Sequence, residues 1–270
     1  MQATGNKHKQ PYYLSIRLHA DGFSFFSYNL EGVETVAVET YSYKADERPE
    51  ETLENALTNS SLIKSDRYEM AYGIVHGPAI QVPLEQFRKD DAANLLRLTF
   101  RNSQIGKIYY NILPHLEIAQ VFTIAQNLEE TLKRHLPNIR LYHSQTMILE
   151  KMSGFGDTDE HQLFVYFQEK ELFIFGYTDQ HLRYANTFPI ETPENTLYYI
   201  LSVCKELGIN DSEGECFLIG EHESKSNIAE TLNKYIHKVK NATSVNIFRS
   251  SALARNKRVP FDILALFANL

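Results

Sequence analysis

The chain has 270 residues, enough for one large domain or two packed halves, and 43% of them are hydrophobic and 23% charged. This composition is typical of a globular protein and excludes disordered and fibrous classes. The formal net charge of −7 argues against a protein that binds nucleic acid by neutralising phosphates. Residues 1–11 lack the apolar core of a signal peptide, and no apolar run reaches the length of a membrane span. The sequence therefore predicts a cytoplasmic protein without a nucleic-acid partner or transmembrane segment.

The first 75 residues combine strand patterns with one helix pattern. β-branched and aromatic residues dominate four runs, which indicates strands. The strands are predicted at 12–19, 23–29, 34–40 and 69–75. The pair Asp21–Gly22 predicts a tight hairpin between the first two, in which Gly22 adopts a positive φ. Pro49 opens a helix before the fourth strand.

Extra material follows the fourth strand. A helix is predicted after Asp90-Asp91, and antiparallel strands are predicted over 107–113 and 117–125. A helix over 127–136 comes next, with Asn127 as its N-cap and Glu130 at the capping-box position. A strand over 138–143 completes this part of the chain.

The same order of elements recurs in the second half of the chain. Strands are predicted at 162–167, 171–177, 181–188 and 215–219, the last of them ending at Gly220. Pro193 opens the intervening helix, and Gly208 is placed as its C-terminal cap. A helix over 225–239 and a strand over 242–248 follow. The helix-opening prolines Pro49 and Pro193 lie at matching places, so the order predicts an internal duplication.

Two halves, each a three-strand meander followed by alternating helices and strands, resemble the actin-like ATPase superfamily of sugar kinases, chaperone ATPase domains and actin. The insertion between Val75 and Asn127 is similar in order to that of type IV pilus assembly ATPase-like proteins and their cell-division relatives. The chain also resembles an uncharacterised bacterial family with this fold. The resemblance covers roughly residues 12–250. It implies an α/β (α+β), ribonuclease H-like fold of two similar halves, each with a mixed five-stranded sheet and flanking helices.

The pattern also divides the chain into segments. They are a flexible tail (1–11), a first half (12–155) with an inserted subdomain at about 76–124, a second half (156–250), and a C-terminal segment (251–270).

The resemblance implies where a nucleotide would bind, and the residues there differ from the superfamily's pattern. Its members carry a magnesium-holding Asp in the first strand and small residues in the turn, whereas this chain places Arg17 near the Asp position. Arg17 could hold a phosphate but cannot ligate magnesium. The turn of the first hairpin contributes Asp21 and Gly22, which also suit an ordinary hairpin.

The second half departs further from the superfamily. Tyr166 falls near the Asp position, and Glu169 in the turn would repel a triphosphate by roughly 4 kcal/mol per charge pair. The adenosine-binding turn normally has paired glycines, but here Gly220 is followed by the carboxylate of Glu221. We therefore treat these positions as a vestigial cleft and expect no cofactor.

The sequence gives even less support for a metal site or for a catalytic site of another kind. Ten histidines occur without HxH, HxxxH or HExxH spacing, so no metal site is expected. The carboxylates around Asp157 fit a solvated linker better than a cation loop. Cys204 and Cys216 are interpreted as buried thiols. No GxSxG elbow or phosphate-binding glycine motif is present.

The C-terminal segment has two interpretations. A basic run ends at Arg258, and Pro260 opens an apolar helix that carries Phe261, Leu264 and Phe267. The first interpretation is a final helix packed on the second half. The second is a segment that binds a partner or a second copy of the chain; contact with anionic lipid is disfavoured, because only the basic run would attract it.

The leading hypothesis is a non-catalytic actin-like scaffold that binds another protein through the inserted subdomain or the C-terminal segment. One alternative is a divergent ATPase or kinase that uses Asp21 or Asp157 with Gly220. Another is a small-molecule binding module with its pocket between the halves. A homodimer is left open.

Overall fold

The structure is a computed structural model that describes residues 12–29, 36–63, 68–101, 105–155, 161–168, 170–249 and 251–268. The chain forms two compact units. The first unit comprises Met1–Ile112, Ala119–Ser144 and Asn256–Val259, and the second comprises Leu113–Ile118, Gln145–Arg255 and Pro260–Leu270. Residues 145–155, counted with the first half in the sequence analysis, thus lie in the second unit by compactness.

The strands are β1 (Tyr12–Leu18), β2 (Gly22–Tyr28), β3 (Ala37–Ser42), β4 (Tyr68–Val75), β5 (Ala79–Pro83), β6 (Lys107–Leu113), β7 (Ile118–Ile124), β8 (Arg140–His143), β9 (Gln162–Gln168), β10 (Glu171–Thr178), β11 (His181–Pro189), β12 (Glu215–Ile219) and β13 (Lys238–Ala242). The helices are α1 (Pro49–Asn59), α2 (Ala92–Thr99), α3 (Gln126–His135), α4 (Ser144–Met152), α5 (Pro193–Leu207), α6 (Lys225–Leu232), α7 (Ser244–Ile247) and α8 (Phe261–Ala268).

The first unit is built on a mixed five-stranded sheet in the order β3-β2-β1-β4-β8. β1 pairs antiparallel with β2, with Ile16 opposite Phe25, and parallel with β4. α1 covers this sheet, because Leu53 and Leu57 recur at helical spacing and both are buried in the core that includes Ile16 and Phe25. Pro49 is the first residue of α1, as predicted.

The inserted material forms a separate three-stranded sheet in the order β5-β7-β6. α2 packs on it through Leu96, which is buried with Val82 and Val121 in a small apolar cluster. Asn111 of β6 reaches the edge strand β8 of the first sheet. Its side-chain Nδ2 donates to the carbonyl of Leu141 at 3.1 Å, and its Oδ1 accepts from the amide of His143 at 3.0 Å. A side chain thus pairs with the edge of β8 as a neighbouring strand would.

The second unit repeats the sheet of the first in the order β11-β10-β9-β12-β13. Phe164 lies opposite Phe175 in the β9–β10 pair, and their rings stack at 5.1 Å. α5 begins at Pro193 and ends at Leu207, and its C-cap is Gly208, whose φ of 76° places it in the left-handed region. The matched strand orders agree with the predicted pair of similar halves.

Three predicted elements differ from the structure. Two of them follow α5, and the third is the start of α3. The strand expected over 242–248 is instead β13 followed by α7, where Thr243 caps the helix by accepting from the amide of Asn246. The helix expected over 225–239 ends at Leu232. α3 begins one residue earlier than expected, and its N-cap is Ala125. Asn127 is not the cap. Its side-chain amide instead donates to the carboxylate of Glu50 at 3.1 Å.

Two helices that flank the second unit complete its core. α4 buries Ile148, Leu149 and Met152, and the carbonyl of Leu149 accepts from the buried hydroxyl of Tyr177 at 2.6 Å. α8 is apolar except for Asp262, and its residues 261–266 are buried. Within the described part of the chain, none of the helices combines the length and apolarity that crossing a membrane requires.

Candidate functional site

The β1–β2 hairpin is the feature of the first unit that the sequence singled out. The amide of His19 donates to the carbonyl of Gly22 at 2.8 Å, so Ala20 and Asp21 form a two-residue turn. Asp21 is exposed, and its carbonyl accepts from the amide of Tyr43 at 2.9 Å. The turn is therefore held by one hydrogen bond between its two ends and by a second one to Tyr43, which follows β3.

The prediction that Gly22 adopts a positive φ was wrong. Gly22 is not among the residues with positive φ. Glycine is needed there for a different reason, because a Cβ would lie 2.1 Å from the carbonyl oxygen of Tyr41 on the neighbouring strand. The residue permits two backbones to approach and does not shape the turn.

Cationic and imidazole side chains gather at the end of β1. Arg17 is buried, with 7% of its surface exposed, and its Nη1 lies 3.2 Å from Nε2 of His19. The ring of His19 stacks on that of His76, which follows β4, with centroids 5.0 Å apart. The amide of His76 donates to the carbonyl of Leu18 and so holds the backbone of His76 beside the end of β1. The cluster offers nitrogen donors, where magnesium would need carboxylate oxygens.

A cavity of about 610 Å³ opens beside this cluster, wholly within the first unit. Its walls come from the ends of β1, β4 and β7 and from the first turns of α1 and α3. The polar side chains of its lining are those of His19, Tyr43, Glu50, His76, Thr123, Gln126 and Asn127. The volume lies within the range of small-ligand pockets.

The hydroxyl of Tyr43 is an unsatisfied group in the wall of this cavity. It is buried and has no hydrogen-bond partner among the described residues. Burial and the nearby Asp21 carboxylate raise the pKa of Tyr43 to about 12, so the hydroxyl keeps its proton at neutral pH. An unpaired buried hydroxyl costs stability, and a ligand could satisfy it.

In the second unit, the end of β12, which matches the end of β4 in strand order, forms a tight turn. Gly220 follows β12 with φ of 84°, and a Cβ there would lie 2.3 Å from the carbonyl oxygen of Phe167. Nζ of Lys225 donates to the carbonyl of Gly220 at 2.7 Å. Burial lowers the pKa of Lys225, and the neighbouring Glu221 opposes this shift. Glu221 itself is exposed. The turn is tight, as predicted, and a lysine side chain packs against it.

The four residues assigned to partner binding in the C-terminal segment differ in exposure. Arg258 is exposed and Phe267 half-buried, whereas Phe261 and Leu264 are buried at 5% and 2% exposure. The ring of Phe261 contacts Tyr166 and Phe248 of the second unit at 5.3 and 5.1 Å. This packing is what the docked-helix interpretation expects, and partner binding by this segment stays a prediction.

Some predicted features lie outside the described residues, namely the tail 1–11, the carboxylates around Asp157, and Glu169. Both cysteines are free and buried, as predicted. Burial raises the pKa of the Cys204 thiol to about 12, so it is a poor nucleophile.

Sequence reasoning missed three side chains that matter at these strand ends. His76 and Tyr43 are far in sequence from the residues they accompany, whereas Lys225 lies only five residues after Gly220. For two of these side chains, the sequence contains a pattern that could have identified them. His76 directly follows a buried strand, and Lys225 begins the helix after the Gly220 turn. Residues at the carboxyl ends of strands in α/β sheets often form sites.

Comparison with solved structures places the fold. A protein of unknown function with an actin-like ATPase fold from Bacteroides thetaiotaomicron is 23% identical, with a TM-score of 0.78 and 96% of each chain covered. The PilM–PilN type IV pilus biogenesis complex contains a chain that is 10% identical, with a TM-score of 0.50 over 94% of this chain and 98% of that one. The ethanolamine utilization protein EutJ from Carboxydothermus hydrogenoformans is 11% identical, with a TM-score of 0.47 over 95% and 90% of the two chains.

No curated protein sequence matches the chain significantly. A family model does match it, over residues 2–239, and its description is a protein of unknown function, DUF3822. The TM-score and the chain coverage of the first solved structure show the actin-like ATPase fold. The chain therefore belongs to the DUF3822 family of unknown function.

Proposed function

We propose that this protein is an actin-like scaffold that binds another protein and does not hydrolyse ATP, with the inserted subdomain, residues 76–124, as its partner surface. The observation that carries the proposal is the buried Arg17 beside His19 at the end of β1. A fixed guanidinium at this place repels a divalent cation, whereas nucleotide hydrolysis on this fold relies on magnesium.

The inserted subdomain supports the second part of the proposal. Tyr110 and Ile112 on β6 are 38% and 44% exposed, and Leu98 on α2 is 65% exposed. They belong to a small subdomain whose apolar cluster lies under α2. Exposed apolar side chains on such an element are typical of protein-binding surfaces. The similarity to the PilM–PilN complex adds support, since that fold occurs there in an assembly of two different proteins.

The catalytic half of the proposal is tested with ATP and magnesium. Thermal denaturation with and without millimolar Mg–ATP should give the same midpoint. A ligand present at 100 times its Kd would add roughly 2.7 kcal/mol of stability. A clear stabilisation, together with ATP turnover that is lost in Asp21→Asn, would replace this proposal with the divergent ATPase or kinase.

The partner half is tested by matched surface variants. Wild-type protein, the double variant Tyr110→Ser/Ile112→Ser and the control Tyr198→Ser are used to capture proteins from the native cell. Tyr198 is 68% exposed but lies on α5 in the second unit. The partner should be lost only with the double variant. Equal capture by all three proteins would remove the inserted subdomain from the proposal.

A second candidate is a small-molecule binding module, and the specific observation in its favour is the unpaired Tyr43 hydroxyl in the first-unit cavity. A thermal-shift screen of polar metabolites against wild type and Tyr43→Phe tests it. A compound that stabilises only the wild type would support this function.

Cytoplasmic location remains part of the proposal, supported by the two unpaired thiols. A homodimer remains open to measurement.

A further inference from the structure

The outer edge of β3 borders a groove that the proposed function does not use. β3 is the terminal strand of the first sheet, and no described strand pairs with its outer side. The groove encloses about 680 Å³ between four consecutive β3 residues, Glu39–Ser42, and one face of α1. That face presents Thr52, Asn55, Ala56 and Asn59, which share one side of the helix at the spacing i, i+3, i+4, i+7.

The backbone of β3 presents hydrogen-bonding groups to this groove. The amide of Tyr43 donates to Asp21 across the β2–β3 ladder, and Tyr41 lies opposite Phe23. In an antiparallel pair the residues alternate between facing the partner and facing away. The amides and carbonyls of Thr40 and Ser42 therefore point away from β2, toward the open edge. An edge of this kind is a template for another strand.

The charge of the groove limits what can occupy it. Lys44 and Glu47 neutralise each other through an ion pair of 2.7 Å. The Glu39 carboxylate instead accepts hydrogen bonds from the neutral hydroxyls of Tyr41, at 2.7 Å, and Ser61, at 3.1 Å. Burial alone would raise the pKa of Glu39, but hydrogen bonds from Ser60, Tyr41 and Ser61 lower it overall. Glu39 thus contributes a negative charge that these partners do not neutralise.

We propose that the groove between β3 and α1 binds an extended, basic segment of a partner protein, which adds to β3 as a further strand and places a Lys or Arg side chain at Glu39. Four β3 residues span roughly 13 Å, the length of a short strand. A second copy of this chain fits less well, because it would bring a second Glu39 carboxylate to the groove and no basic side chain within β3. This site is separate from the inserted subdomain and does not depend on the proposed function.

The test begins with a random heptapeptide library displayed on phage and selected on the full chain at low salt. We expect enrichment of sequences with β-branched residues around a Lys or Arg. A fluorescein-labelled synthetic peptide of the enriched sequence is then titrated against wild type and variants by fluorescence anisotropy.

Thr40→Pro and Thr40→Ala form the decisive pair. Both lose the Thr40 hydroxyl, but only the proline removes the outward amide, and proline is tolerated on edge strands. Thr40→Pro should weaken peptide binding about tenfold or more, and Thr40→Ala by less than about threefold. Glu39→Gln should weaken it by about three- to tenfold, with a smaller dependence on salt.

A second pair covers the case in which Thr40→Pro does not fold. Asn55→Trp fills the groove from α1, and Thr58→Trp adds the same ring at an exposed α1 position that does not line the groove. Only Asn55→Trp should abolish binding. Equal peptide binding by both tryptophan variants would overturn the proposal, and so would a phage library from which no sequence is enriched. The proposal would also fail if the wild type does not bind peptide but forms a dimer that Thr40→Pro breaks. The last result would assign the edge to a second copy.

Discussion

The two units share one framework and differ at the ends of their strands. Both sheets have the same strand order, and α1 and α5 both begin at a proline after the third strand. At the end of β1 the first unit holds Arg17 and two stacked imidazoles beside an open cavity. At the end of β12 the second unit packs Gly220 against Phe167 and Lys225. A sheet with one strand order can therefore occur twice in a chain and carry different side chains at its strand ends.

Substitutions in the hydrophobic cores of the two units test how far the similarity between the units extends. In the second unit Phe164 and Phe175 form a stacked aromatic pair across β9 and β10. In the first unit Ile16 lies opposite Phe25 across β1 and β2. Phe164→Ala should reduce the free energy of unfolding by about 3–5 kcal/mol, because the ring is fully buried. Urea denaturation followed by circular dichroism measures the change. Ile16→Ala, also fully buried, should cost about 2–5 kcal/mol.

A double-mutant cycle separates packing from ring stacking. The coupling between Phe164→Ala and Phe175→Ala should be about 0.5–1.5 kcal/mol. A coupling of zero would mean that the aromatic pair of the second unit adds nothing beyond the area it buries.

Gly22, the first residue of β2, and Gly220, which follows β12, should differ in their tolerance of alanine. Both Gly22→Ala and Gly220→Ala drive a Cβ into a carbonyl oxygen, at 2.1 and 2.3 Å. Only Gly220 also has a positive φ, which costs an L-residue about 1–2 kcal/mol more. We expect losses of about 2 kcal/mol for Gly22→Ala and about 3–4 kcal/mol for Gly220→Ala.

Two further glycines act as controls for these substitutions. Gly208→Ala meets no atom but has a positive φ, so it should cost about 1 kcal/mol. Gly154→Ala has neither problem and should change stability by less than about 0.5 kcal/mol. A larger loss at Gly208 than at Gly220 would show that backbone approach is not what requires glycine after β12.

His143 of the first unit should impose a pH dependence. Burial, with a smaller contribution from His76, lowers the pKa of His143 to about 3. Its Nε2 lies 3.2 Å from the carbonyl of Gly77, and the amide of Gln120 approaches Nδ1 at 3.4 Å, so the neutral Nε2–H tautomer satisfies both contacts. The folded state resists protonation, so the contribution is complete above pH 6.5 and is lost as pH falls toward about 3.

The measurement is the free energy of urea unfolding at several pH values between 7 and 4. His143 should contribute a slope of up to about 1.4 kcal/mol per pH unit below pH 6.5. His143→Gln should flatten the curve in this window, while the exposed His115→Gln should leave the slope as in wild type. Identical slopes in all three proteins would show that His143 is accessible to protons in the folded state.

The smallest effects concern the last strand of each sheet. Asn111→Ala removes two hydrogen bonds to β8 and should cost about 1–2 kcal/mol. Lys240→Ala in β13 breaks an ion pair with Glu215 at 2.6 Å. The lysine is about half exposed to solvent, so the loss should stay below about 1 kcal/mol. The reverse order would mean that β8 is not held by the inserted sheet.

Local patterns predicted most of the framework. β6 and β12 have the predicted bounds, and α1 and α5 begin at the predicted prolines, because alternation, turn residues and N1 prolines act locally. β13 was misplaced because its sequence, KVKNA, is polar and mostly unburied, and it is held by pairing with β12. The apolar residues just after it belong to a helix whose cap, Thr243, carried the overlooked signal.

The candidate site was predicted only in part. Asp21 and Gly22 were placed at the first hairpin from its turn residues, and Arg17 was placed there through the resemblance to the actin-like superfamily. The stacking of His19 on His76 and the position of Tyr43 in the cavity wall depend on pairings between distant segments. The groove along β3 could not be predicted, because it requires knowing which strand ends the sheet and which face of α1 lies beside it.

The division of the chain into units has a consequence for its synthesis. The backbone passes from one unit to the other five times, and the last piece of the first unit is Asn256–Val259. Neither unit corresponds to a continuous stretch of the gene, so cutting the chain once between β8 and β9 would leave each fragment without a piece of its own unit. A ribosome that has released only the first 144 residues has not yet made all of the first unit.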